Sequence, residues 1–186
     1  MAEINVVPTE KRQYKLREIL ISVVAIVGSV GIAYGVFAYR AQIEQLGVLG
    51  YPGIFIISLL SSATLFVPAP GFVAVFALGK VLNPLSVGIA AGAGAALGET
   101  TGYFVGVGGK AIIEDRPIYK RFHRWITRFG PFAILFMAAL PNPLFDMGGL
   151  IAGATGMKFW QFLLATFIGK SIRFVFVAYL GDNILQ

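Results

Sequence analysis

Four ionisable side chains sit where charge is costly. Glu99, Asp146, Lys170 and Arg173 all fall inside long apolar runs of a 186-residue chain that is 57% hydrophobic and only 13% charged. An ion at the centre of a lipid bilayer costs several kcal/mol unless it is paired or hydrated. Two readings follow: a buried ion network that fixes how helices register, or a polar cavity that receives a charged group in transit, the latter preferred. Thr166, Lys170 and Arg173 share one helical face, Lys170 lies roughly 18 Å along its run, and Arg173 is long enough to snorkel outward. Beside these charges stands Leu140-Pro141-Asn142-Pro143-Leu144-Phe145-Asp146, where two prolines, an amide and a carboxylate interrupt the apolar run 129–157. Backbone freed from helical bonding at membrane depth is tolerated only where protein buries it or where it lines a wet cavity. Asn142 is either a cap for that freed backbone or a headgroup contact. The break is therefore the expected working site.

Ordinary catalysis finds no footing. The sequence has no cysteine, no Walker motif, no metal-ligand cluster and no Ser/His/Asp set, and its single histidine, His123, reads as an interfacial polar residue. No enzyme activity, cofactor or metal is expected. Gly92-x-Gly94-x-x-x-Gly98 lies within an apolar span and is not a nucleotide loop. A net charge of +6 could point to nucleic acid, but the basic residues flank apolar runs. Membrane lipids with anionic headgroups are the expected partners instead, and the small size leaves a homodimer open.

The elements that must hold these residues are long, continuous and apolar, which predicts an all-α polytopic membrane protein rather than a β-barrel. Residues 1–18 are polar and carry Lys11, Arg12, Lys15 and Arg17 before the first run, so this end is expected in the cytoplasm, with no cleavable signal peptide. Residues 19–39 are long enough to span. Residues 51–79 are broken at Pro68 and Pro70, and charge decides their path. If they spanned, then Lys110, Arg116, Lys120, Arg121, Arg124 and Arg128 would all face outward, against the positive-inside rule. A re-entrant hairpin over 51–79 keeps them inside.

Residues 84–108 then form a transmembrane helix with a ridge of Gly94, Gly98, Gly102 and Gly106, four apart, where another backbone can approach. Glu99 projects about 100° away from that ridge. Residues 116–128 form a basic amphipathic helix, expected in the interface with Lys120, Arg121, Arg124 and Arg128 toward headgroups. Residues 129–157 make a second re-entrant hairpin tipped by Pro141 and Pro143, and 159–181 cross the membrane. The two proline tips are 73 positions apart, and each precedes a glycine-rich arm and a full span. Each half crosses once in net, so the plan is an inverted repeat of hairpin plus transmembrane helix within 51–181, preceded by an extra N-terminal helix. Broken helices that meet near the midplane are a transporter architecture.

Two segments carry a family resemblance. Gly92-Ala93-Gly94-Ala95-Ala96-Leu97-Gly98-Glu99-Thr100-Thr101-Gly102-Tyr103-Phe104 resembles the Gly-Asp/Glu-x-x-x-Tyr segment of the VTT (DedA) membrane superfamily. Pro141 to Asp146, with Gly153 and the run Phe159-Trp160-Gln161-Phe162 through Ile168-Gly169-Lys170, is similar to its vacuole membrane protein branch. The resemblance covers roughly residues 50 to 175. It implies two facing re-entrant hairpins and lipid transport: phospholipid scrambling in eukaryotic members, movement of polyprenyl-phosphate carriers in bacterial ones. Glu99, Pro141, Asn142, Pro143, Asp146, Gly169 and Lys170 are the positions that carry over. Bacterial members place an arginine before the second hairpin's proline and an acid near the first, where this chain has Ala139-Leu140 and Pro70-Gly71; substrate and proton coupling are not carried over from them.

The expected function is a scramblase or flippase, with headgroups passing Glu99, Asn142, Asp146, Lys170 and Arg173 while acyl tails stay in lipid. With no nucleotide motif, movement should be downhill or ion-coupled. The alternatives are a proton- or cation-coupled carrier of small solutes and a membrane scaffold that recruits partners through the glycine ridge. The expected location is a prokaryotic cell membrane, with the N-terminus cytoplasmic.

Overall fold

The computed structural model describes residues 27, 31, 34, 38, 50–63, 69–108, 117–140 and 146–184. Of residues 19–39, the four described positions are helical and exposed; the rest of that expected span lies outside the described residues. So do Pro68, Pro141, Asn142 and Pro143, while Pro70 and Asp146 are placed by backbone only.

The described residues are helical: α1 (Gly50–Ala63), α2 (Ala69–Val81), α3 (Pro84–Gly98), α4 (Thr100–Gly108), α5 (Pro117–Phe129), α6 (Pro131–Ala139), α7 (Asp146–Ala154) and α8 (Phe159–Ile184). Local sequence sets the boundaries. Asn83 caps α3 by accepting from the Ser86 amide at 3.1 Å, and Pro84 fills the first turn, where no amide donor is needed. The expected helix over 84–108 is divided only at Glu99, whose own backbone stays helical at φ −64° and ψ −17°. The ladder continues across the break, since the Glu99 amide donates to the Ala95 carbonyl and the Tyr103 amide to the Glu99 carbonyl. Thr100 and Thr101 donate their hydroxyls to the Leu97 and Gly98 carbonyls at 2.6 and 2.9 Å. Such back-bonding satisfies carbonyls at a local distortion and bends helices.

α8 is 26 residues, about 39 Å at 1.5 Å per residue, long and apolar enough to cross a membrane. Its outward face is a line of Trp160, Leu164, Ile168, Ile172, Phe176 and Leu180, all exposed. A contiguous apolar stripe of that length belongs against hydrocarbon rather than water.

Close backbone contact at glycine holds the bundle together. α3 and α8 form the central pair, where a Cβ on Gly88 would meet the Val175 Cα at 2.5 Å and one on Gly92 the Ser171 Cα at 2.7 Å. α1 lies on α3, its Phe55 carbonyl against Gly94 and its Ala63 amide 2.8 Å from a Cβ on Gly98. α6 lies on α8 with the Leu135 carbonyl against Gly169. α2 meets α8 by a reciprocal contact, Gly79 on Ala178 and Gly181 on the Phe76 carbonyl. α7 meets α4 the same way, Gly153 on the Tyr103 carbonyl and Gly106 on the Leu150 carbonyl. Most of the glycine ridge proposed as a partner surface is thus filled from within: Gly94 and Gly98 by α1, Gly106 by α7. A scaffold reading cannot use those positions.

Two apolar cores result. One gathers Ile54, Val75, Val87, Ala91, Ala95, Phe174 and Ala178; the other gathers Tyr103, Tyr119, Ile126, Ile134, Ile151, Phe162 and Ala165. Along α3–α4 the boundary falls between Ala95 and Tyr103, and along α8 between Ala165 and Phe174.

Candidate functional site

Glu99 and Lys170 occupy that boundary. The Lys170 Nζ donates to Glu99 Oε1 at 2.7 Å, and the two residues are 5% and 3% exposed. They are 71 positions apart, so only the tertiary fold joins them. Lys170 is the twelfth residue of α8, about 17 Å from its start, and Glu99 sits at the break between α3 and α4. A buried carboxylate and ammonium must be paired or the cost of desolvating each stands alone.

Both halves of the chain close on this pair. From α1, Ser62 Oγ lies 3.3 Å from Lys170 Nζ. From α7, Gly149 packs against Glu99 so tightly that a Cβ there would stand 3.2 Å from the Glu99 carbonyl and 3.4 Å from Oε2. The Thr101 hydroxyl, bonded to Gly98, also lies 3.3 Å from the Ala63 carbonyl and so sets the α4 start beside α1. Below Glu99, Tyr103 stacks on Phe162 with centroids 5.0 Å apart and donates its hydroxyl to the Met157 carbonyl at 2.5 Å. That bond holds the α7–α8 turn and fixes the floor of the site.

Arg173 lies one turn beyond Lys170, with its guanidinium 4.2 Å from the Phe72 ring centre, a cation–π contact to the start of α2. Thr166, one turn before Lys170, is wholly buried, and its hydroxyl has no hydrogen-bond partner among the described residues. The structure therefore brings Glu99 and Lys170 together and sets Arg173 beside them on α8. Lys120, Arg121, Arg124 and Arg128 stand elsewhere, exposed on α5. The Asp146 backbone opens α7, three residues before Gly149. Ser62 and Phe72 were not singled out from sequence, since a serine and a phenylalanine in apolar runs carry no local signal.

The apolar side of α5 is shared between the protein and the outside. Tyr119 and Ile126 are buried and Phe122 half-buried in the second core, so much of its apolar face is covered by the protein itself. Trp125 and Phe129 remain outward. Among the described residues no group of three or more His, Cys, Asp or Glu is placed to hold a metal.

Residues 68–183 match the model of the VTT domain. Vacuole membrane protein KMS1 of Arabidopsis thaliana is 35% identical over 103 residues, covering 44% of this chain and 25% of that protein. Vacuole membrane protein 1 homolog of Dictyostelium discoideum is 49% identical over 47 residues, and human Vacuole membrane protein 1 is 47% identical over 47, each covering 25% of this chain and 12% of the relative. The matches span a quarter or less of these relatives' own length. No solved structure matches.

Proposed function

The chain belongs to the VTT domain family, and on that premise we propose that it moves lipid headgroups between leaflets along a path through the Glu99–Lys170 pair. The observation that carries the reading is a buried ion pair, near the middle of a membrane-length helix, at which elements of both halves converge. A lipid phosphate would exchange for the Glu99 carboxylate at Lys170, and a cationic headgroup amine would exchange for Lys170 at Glu99. Opposite charges at one point thus lower the barrier for either end of a zwitterionic headgroup, while the acyl tails stay in hydrocarbon. Arg173 offers the next phosphate contact one turn along α8.

The inverted-repeat reading draws support from the packing. Phe76 and Gly79 correspond to Leu150 and Gly153 at a separation of 74, and Tyr103 and Gly106 to Ala178 and Gly181 at 75. Each half's second arm therefore meets the other half's span in the same way, as a two-fold relation requires. In this reading α1–α2 and α6–α7 are re-entrant hairpins that approach from opposite leaflets. The α5 cations gather anionic headgroups on the cytoplasmic side.

The test is lipid redistribution in vesicles that hold only this protein. A fluorescent phospholipid present in both leaflets is bleached from outside with dithionite. Bleaching beyond the outer-leaflet half supports the reading. Bleaching that stops at half, with proton-dependent uptake of a water-soluble solute, would transfer the site to the carrier reading.

A further inference from the structure

A second feature lies away from the ion pair. Gly130 joins α5 to α6 with φ +56°, a conformation open to glycine and strained for other residues, and Pro131 starts α6 at once. The resulting elbow encloses an open groove of about 390 Å³ lined by Trp125 and Phe129 from α5 and Phe132, Ala133, Leu135 and Phe136 from α6. Its walls are apolar, and Phe132 is 76% exposed, so the groove opens outward. Its α5 rim is cationic. Arg121 and Arg128 lie four residues before and three after Trp125, on the same helical face. The Arg128 guanidinium stands 5.4 Å from the Phe129 ring centre, directly at the groove's edge. Residues 117–129 contain no acid to neutralise it.

We propose that this elbow is a binding site for one anionic phospholipid, with an acyl chain in the aromatic groove and the phosphate on Arg121 and Arg128. An apolar slot ending in a cationic rim fits a molecule that is apolar along its length and anionic at one end. Arginine suits phosphate through its planar fork of donors. The inference deepens the headgroup-gathering part of the proposed function by naming a retained lipid, and it needs the membrane setting but not transport.

Lipid retention in detergent, read by native mass spectrometry, tests it with phosphatidylglycerol and phosphatidylcholine as probes. The protein should retain phosphatidylglycerol at least tenfold over phosphatidylcholine. Arg121→Gln with Arg128→Gln should bring that ratio close to one, whereas the two lysine substitutions should keep most of it. Trp125→Ala with Phe132→Ala, both at exposed positions, should release either lipid. Glycerol phosphate, which has the headgroup but no tails, should not compete. Equal retention of the two lipids, a preference that survives the glutamine pair, or displacement by glycerol phosphate would each overturn the proposal. So would Trp125→Ala with Phe132→Ala splitting a dimer without changing bound lipid, since a second copy would then occupy the groove. The readout is binding, so a failed transport assay leaves it standing and its own failure leaves transport untouched.

Discussion

Removing the charges of the central pair one at a time and then together separates what the pair does for folding from what it does for transport. At 2.7 Å the Coulomb attraction is about 6 kcal/mol at an effective dielectric of 20. Desolvating the two ions costs several kcal/mol each, so the intact pair contributes little net stability. Deleting one partner leaves the other buried and uncompensated, at 3% or 5% exposure, which costs about 3–5 kcal/mol. Glu99→Leu and Lys170→Met should each lose about that much. The double variant should return to within about 2 kcal/mol of the parent, the remainder including about 1 kcal/mol for the Ser62 hydroxyl that loses its lysine. Reversible unfolding in mixed micelles under a detergent titration gives the four free energies of the cycle. A coupling of at least about 4 kcal/mol is expected. Additive single effects would refute the pairing. The functional arm is sharper still: the double variant should be folded and inactive in lipid movement. A double variant that recovered activity together with stability would make the pair structural and remove it from the path.

Other outcomes follow from the same contacts. Gly106→Ala and Gly153→Ala place a methyl on the Leu150 and Tyr103 carbonyls and should each destabilise by about 1–3 kcal/mol in that titration. Gly53→Ala, in α1 with nothing within 4 Å of a new Cβ, should gain up to about 1 kcal/mol from helix propensity. Tyr103→Phe deletes the bond to the Met157 carbonyl and should cost about 1 kcal/mol, read by the same cycle. Asp146→Asn should slow lipid movement without changing the unfolding midpoint; loss of folded protein in step with activity would assign Asp146 to the structure instead.

The sequence exposed the components of the site more readily than their assembly. Glu99 and Lys170 stand out because each is an ion inside an apolar run, and that signal is local. Their partnership across 71 positions is not local, and no spacing rule links them. Ser62 escaped notice for the same reason, since its role comes from where α1 ends. The glycines were legible as close-packing positions, but which backbone fills each one depends on the topology. Propensity does not locate the turn at Glu99, since Gly98, Thr100, Thr101 and Gly102 are all weak helix formers in a run that is helical on both sides; the bonds from Thr100 and Thr101 back to Leu97 and Gly98 mark it. In α5 the apolar positions were legible, but periodicity does not distinguish protein from lipid as the surface they face. Tyr119 and Ile126 face protein, and Trp125 and Phe129 do not.

The central claim is that headgroups pass between the two halves at the ion pair, and locking the halves there tests it most directly. The chain has no cysteine, so Ser62→Cys in α1 and Gly149→Cys in α7 place the only thiols on either side of Glu99 and Lys170. A short reducible bis-thiol linker then bridges them in vesicles whose lipid redistribution is followed by dithionite bleaching. The account predicts bleaching that stops at the outer-leaflet half when the linker is closed and that recovers, on reduction, to the level of the same double-cysteine protein before linking. Undiminished redistribution with the linker fully closed would contradict a path between the halves.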